Sequence, residues 1–197
     1  MTEKPAYYDT RSKFWRRHFE MAANYDDWTA ESNQKLAQRW IDQAVRTPKL
    51  SEGQRERLAG YDRKLNVLLY GGIWCGDCAR SGPMLKRIAE ACGELVVLRV
   101  IDREASEELK DELRILGATR VPFVVFLSED FWEVDRFGDR SLSVYRAKAN
   151  REIGRGFPSG ILSPRALAEE MEEWVDVFER VLIMLRLAPQ LRKRYGD

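Results

Sequence analysis

Histidine is almost missing from this chain: His18 is the only one among 197 residues. Cysteine is scarce as well, with three, at positions 75, 78 and 92. Three cysteines do not build the disulfide framework of a small secreted domain. A tetrahedral zinc site would have to recruit all three together with His18, and no second close pair follows the first. An excess of one charge is also lacking, since 33 basic residues face 32 acidic ones and the formal net charge is +1. Whole-surface attraction to nucleic acid or to anionic lipid is therefore not expected. Long apolar runs are absent too. A stretch such as Val181-Leu182-Ile183-Met184-Leu185 falls far short of the roughly 20 residues of a membrane span. The first residues, Met1-Thr2-Glu3-Lys4-Pro5-Ala6-Tyr7-Tyr8, carry no apolar core of a signal peptide, so a cytoplasmic protein without a membrane partner is the expectation. No internal repeat or low-complexity tract interrupts the chain.

What is present suffices for one full domain with an extension, since 44% of the residues are apolar. Residues 11–25 place Phe14, Trp15, His18, Phe19, Ala22 and Tyr25 at helical spacings, and 29–46 repeat this with Leu36, Trp40, Ile41, Ala44 and Val45. Thr29 and Ser32 are candidate caps, Thr47-Pro48 ends the second helix, and 51–63 reads as a short polar third. Residues 1–63 are thus expected to form an all-helical N-terminal extension with no strand. From Asn66 the period changes. Strand-like runs at 66–70, 95–101, 123–127 and 131–137 alternate with helical runs at 76–92 and 104–116 before closing as a hairpin near Ser128-Glu129-Asp130. Residues 138–162 show little periodicity and read as a long loop, with at most one helical turn near 143–152. A last helix over 163–186 presents Leu167, Met171, Trp174, Phe178, Val181 and Leu185 on one face. Ser163 is its expected cap and Pro164 its first turn. Residues 187–197 are left as a tail.

One stretch specifies a reaction: Trp74-Cys75-Gly76-Asp77-Cys78, placed where a strand turns into a helix. A C-x-x-C pair there is the arrangement of a dithiol oxidoreductase. Cys75 would sit at the helix N-terminus, where unpaired N–H groups and the dipole favour a thiolate. Cys78, one turn on, would reach the same sulfur and resolve a mixed disulfide. Pro83 falls inside this helix, and Pro122, after Val121 and just before a strand, suits a cis X–Pro bond. Packed beside the dithiol, it would shape a groove and offer the Val121 backbone for pairing. The remaining candidates have plainer readings. Cys92 and His18 fit core positions, and so does the aromatic series Phe14, Trp15, Phe19, Tyr25 and Trp28. The basic residues Arg136, Arg140, Arg146, Lys148, Arg151 and Arg155 suit a solvated loop, the competing role being to bind an anion or to close over the dithiol.

Trp74-Cys75-Gly76-x-Cys78, Pro83, Val121-Pro122 and Gly138 after the hairpin together resemble the thioredoxin family, over about residues 64–137 and the helix 163–186. The chain looks closest to a bacterial thioredoxin-like subgroup with a W-C-x-D-C motif and a helical N-terminal extension. The resemblance implies an α/β thioredoxin-like fold with a central mixed four-stranded sheet flanked by helices over residues 64–186, including the 138–162 insertion. It further implies an enzyme with Cys75 as attacking thiol and Cys78 as resolving thiol, and with Trp74, Val121 and Pro122 lining the groove. Gly76 and Asp77 would tune it. A protein disulfide and an upstream reductant would be its partners, with no cofactor and no metal. Three departures stand out: Asp77 occupies the place of the family's usual proline, Leu69 that of its buried aspartate, and Leu98 lies near that of the aspartate's lysine partner. Two functions compete on these residues. One is a disulfide oxidoreductase; the other is a thioredoxin-fold interaction or redox-sensing module with a dedicated partner and little general reductase activity. Oligomeric state is open.

Overall fold

The computed structural model describes residues 9–154 and 164–196. Its first part contains helices α1 (Ser12–Met21), α2 (Tyr25–Glu31), α3 (Gln34–Arg46) and α4 (Glu52–Leu58), with a two-residue strand β1 (Ala23–Asn24) after α1. The expected helix over 29–46 therefore begins later. Thr29 and Ser32 do not cap it, because their hydroxyls donate back to Tyr25 O and Trp28 O of α2. Asn33 is the cap, its side chain accepting from the Lys35 N–H. Ser51 and Gln54 form a reciprocal capping box at the start of α4. The N-terminal extension is helical as expected, with β1 as its one strand among the described residues. Two strand residues wedged between helical spacings leave no alternating pattern to read.

Next come β2 (Leu65–Gly71), α5 (Gly76–Ala91), β3 (Val96–Asp102), α6 (Glu107–Glu112), the small hairpin β4 (Arg114–Ile115) and β5 (Ala118–Thr119), β6 (Phe123–Ser128) and β7 (Glu133–Gly138). The main sheet runs β1-β3-β2-β6-β7, so it has five strands where four were expected. β2 is parallel to β3 and antiparallel to β6; β6–β7 is an antiparallel hairpin, and β1 pairs antiparallel with β3 through Ala23↔Val100. Every residue of β2 and of β6 is buried, which is why both read as nearly continuous apolar runs, broken only by Asn66 and closed by Ser128. α6 is shorter than the expected 104–116: Ser106 caps it late, and the chain turns at Leu116 and Gly117, both at positive φ, into β5.

Three elements follow: α7 (Leu142–Ile153), α8 (Pro164–Leu187) and α9 (Pro189–Tyr195). The expected long loop is thus a helix over much of its length. The reason is tertiary: Glu173 of α8 accepts from the Leu142 and Ser143 N–H groups and caps α7 from outside its own sequence. The expected tail holds α9, anchored by buried Leu191. The proposed Ser163 cap and residues 155–163 lie outside the described residues. Met171, Trp174, Phe178, Val181 and Leu185 of α8 are all buried, and Phe178 meets Phe126 of β6 edge to face at 5.3 Å. Trp15, Phe19 and Trp40 from the N-terminal helices join this same core.

α3 is seated on α5 with unusual closeness. A Cβ at Gly82 would fall 2.3 Å from the Trp40 ring, so the indole lies directly on the helix backbone. The indole N–H then donates to Ile73 O at 3.0 Å, two residues before Cys75. At the other end, Arg87 of α5 donates to Pro48 O at 2.7 Å and also to Thr47 O, beyond the last turn of α3. Burial of one tryptophan and three backbone bonds thereby hold α3 against the chain that leads into the dithiol.

Candidate functional site

Cys75 is the N-cap of α5, with extended backbone (φ −81°, ψ 120°). Its sulfur accepts from the Cys78 N–H at 3.3 Å and lies 3.7 Å from Val121 O. Both cysteines are free thiols; Cys75 is half-buried and Cys78 fully buried. The Val121-Pro122 bond is cis, and both residues are buried. Pro83 lies inside α5, as expected. Trp74 is 45% exposed, its indole resting on Gly72 and the Arg103 guanidinium 4.9 Å from its ring. Gly76 has open space where a side chain would be. The structure therefore brings Trp74, Cys75, Gly76, Asp77, Cys78, Val121 and Pro122 to one place.

The two thiols are pushed apart in acidity. Hydrogen bonding from the Cys78 thiol pulls Cys75 down to about 7; burial opposes this, the Cys78 N–H reinforces it, and the Asp77 charge opposes it again. Burial, then the bond to Cys75 and its charge, push Cys78 well above the ordinary thiol range. One sulfur is thus poised to attack near neutral pH and the other is held as a thiol, the division of labour a two-cysteine exchange needs.

The wall behind Cys78 is apolar. Leu69 is fully buried, and a Cβ on Gly71 would stand 3.4 Å from the Cys78 sulfur. On the other side Asp77 is caught between two arginines, Arg80 at 3.1 Å and Arg140 at 2.7 Å. Arg80 Nε also lies 2.7 Å from the buried carboxylate of Glu170 on α8, which accepts from the Ser81 hydroxyl at 3.0 Å. Burial raises the pKa of Glu170 against the pull of Arg80. Arg140 further pairs with Asp139 at 2.7 Å, and Asp139 accepts from the Tyr145 hydroxyl of α7. Burial acts to raise Asp139, but these partners outweigh it and hold the carboxyl below its usual range.

Sequence reasoning missed Arg80, Glu170 and the role of Arg140. The i, i+3 spacing of Asp77 and Arg80 on one helix was the available signal. Glu170 stands among Glu169, Glu172 and Glu173, and nothing local in the sequence singles it out. Arg140 was placed in a solvated basic loop, and it instead grips the motif. The zinc set is not assembled: Cys92 caps the far end of α5, about 25 Å along the helix from Cys75. Burial pushes the Cys92 thiol up to about 11. His18 is buried and bonded to Phe14 O and the Ser106 hydroxyl. Among the described residues no three metal-ligating side chains converge.

Beside Cys75 opens a groove of about 480 Å³, walled by Trp74, Asp77 and Arg80, by Gln43 and Arg46 of α3, and by Leu167 of α8. A larger cavity of about 820 Å³ lies between α2, α3 and α5. It contains neither cysteine, and its charges Lys86 and Arg87 are already paired with Asp26 and with the end of α3. No helix of the described residues is long and apolar enough to cross a membrane.

A family model described as Thioredoxin matches residues 20–151, well over half of the chain. Among solved structures, the chain is similar to a protein of unknown function from Pseudomonas aeruginosa, with TM-score 0.67 and 18% identity over 85% of this chain and 96% of that one. It is likewise similar to an HIV epitope scaffold, with TM-score 0.65 and 18% identity over the same shares. Both are likenesses of fold. No match was found among curated proteins.

Proposed function

The chain belongs to the thioredoxin family, and from that premise we propose that it is a thiol-disulfide oxidoreductase that exchanges its Cys75–Cys78 pair with disulfides of other proteins. The observation that carries this reading is the Cys75 sulfur, capping α5 at 3.3 Å from the Cys78 N–H and facing Val121 O of the cis-proline turn at 3.7 Å. The Cys75 thiolate attacks one sulfur of a substrate disulfide. A Cys75–substrate S–S bond forms as the substrate's own bond breaks, and the departing thiolate takes a proton from solvent. Cys78 then gives up its proton and attacks the Cys75 sulfur, which closes the Cys75–Cys78 disulfide and expels the second half of the substrate as a thiol. Two electrons pass to the substrate, and an upstream dithiol reductant returns them. Trp74, Val121 and Pro122 flank the attacked bond, while Asp77 and Gly76 tune the approach.

The test is equilibration in glutathione or dithiothreitol redox buffers. The wild-type pair should interconvert between dithiol and disulfide, and Cys75→Ser should abolish the transition. A wild-type protein showing no transition sinks the reading. A dedicated partner, with little general reductase activity, is the second reading. It is favoured by the apolar wall of Leu69 and Gly71 behind Cys78, which offers no carboxylate to take the Cys78 proton. Weak insulin-disulfide reduction alongside a discrete mixed disulfide trapped on Cys78→Ser would select it.

A further inference from the structure

The groove beside Cys75 has an asymmetry of charge. Asp77 is countered twice, by Arg80 and by Arg140, and Arg80 is itself countered by Asp77 and Glu170. These groups are saturated by one another. Arg46, at the last turn of α3, is the groove cation left over: among the described residues nothing pairs with it, and the side-chain amide of neighbouring Gln43 has no partner either. Both side chains spring from a backbone that is fixed, because α3 is clamped at Trp40 and by Arg87. They face a cleft whose volume, about 480 Å³, falls within the range of small-ligand sites. A guanidinium with free donors presents a fork that matches a carboxylate.

We propose that the groove selects disulfides carrying a carboxylate next to the sulfur, with Arg46 as its anchor and Gln43 as a second donor. This deepens the oxidoreductase reading and rests on it. The carboxylate also approaches the attacking thiolate of Cys75, a repulsion that Arg46 offsets. The molecule's net charge of +1 is too small to give such a preference by long-range steering. Arg46 acts on the bound substrate and takes no part in the bond exchange itself. The two small disulfides that separate the charge signs are dithiodipropionate, which bears only carboxylates close to its sulfurs, and cystamine, which bears only ammonium groups at the matching positions. The same chemistry could be presented by an acidic protein segment, represented by a cyclic peptide disulfide flanked by Glu, with a Lys-flanked twin as its counterpart.

The experiment measures oxidation of the pre-reduced protein by each disulfide at low ionic strength, using acid quench, alkylation and mass analysis. The readout is the ratio of anionic to cationic rate, which cancels the intrinsic reactivity of each reagent when variants are compared. Arg46→Gln should lower that ratio about two- to fivefold, the effect of one exposed charge pair, and Arg46→Glu should lower it further. Arg39→Glu, on an exposed position of α3 outside the groove, alters net charge equally and should leave the ratio near the wild-type value. The larger change, among the small disulfides or among the peptides, names the source of the carboxylate. A ratio that ignores Arg46 in both arms overturns the proposal, as does an equal response to Arg39→Glu. If no disulfide oxidises the wild-type pair at all, the oxidoreductase reading fails first and takes this inference with it.

Discussion

The two sides of the dithiol are built from opposite materials. Behind Cys78, β2 supplies Leu69 and Gly71, so the sulfur is enclosed by apolar groups and a bare backbone. In front of it, α5, α8 and the turn after β7 supply Asp77, Arg80, Glu170, Arg140 and Asp139 in a continuous ionic chain. The apolar side withholds solvation from Cys78 and keeps its proton on. The ionic side pairs Asp77 with two arginines, while its charge still works against a Cys75 thiolate.

Leu69→Asp would break the contrast most severely by placing a carboxyl in the apolar wall. It should cost about 5 kcal/mol at neutral pH, from the lost leucine and the buried charge. The sign follows from linkage: burial raises the folded pKa of such an aspartate above its unfolded value of about 3.9. The unfolded chain therefore holds fewer protons between the two values, and stability falls as pH rises through that window. Urea unfolding at acid and neutral pH would check this; equal loss at both would refute it. Glu170→Ala attacks the ionic side. It leaves Arg80 and Ser81 facing a hole and should cost about 3–5 kcal/mol, read from the urea midpoint, whereas a loss under 1 kcal/mol would mean the chain of ions is not cooperative.

Smaller changes sharpen the contrast. Alkylation of reduced wild-type protein should reach half its maximal rate near pH 7, set by Cys75, while Cys78 contributes little in that range. Because the folded thiol titrates below an unfolded cysteine at about 8.5, the stability Cys75 contributes is present above that value and is lost as pH falls towards 7. Asp77→Asn should move the alkylation midpoint down, since the charge it removes raises the Cys75 pKa. Arg140→Gln should move it up by roughly half a unit, because Asp77 then keeps only Arg80. A shift of both variants in the same direction would contradict the assigned electrostatics.

Local patterns carried much of the molecule. The strands β2, β3 and β6, the hairpin at Ser128–Asp130, the apolar face of α8 and the whole C-x-x-C motif are legible because each is a short-range rule of period, turn or spacing. Val121-Pro122 was legible as a pair, and its position against Cys75 came with the family resemblance. What escaped was made by distant partners. β1 exists only because β3 offers it an edge, and α7 is held by a carboxylate some thirty residues further along, at Glu173. The Thr29 and Ser32 caps failed because two hydroxyls found carbonyls of α2 within reach.

By itself, then, the sequence determined the candidate dithiol: which two sulfurs, at what spacing, at a strand-to-helix turn whose amides favour a thiolate. Those are effects of neighbours within a few residues, and spacing encodes them. The tertiary structure decided the setting of that dithiol. It placed Arg140 and Glu170 around Asp77 and laid α3 along the groove with Arg46 uncommitted. Charge interactions depend on separation in space and on burial, and neither can be read from the order of residues along the chain.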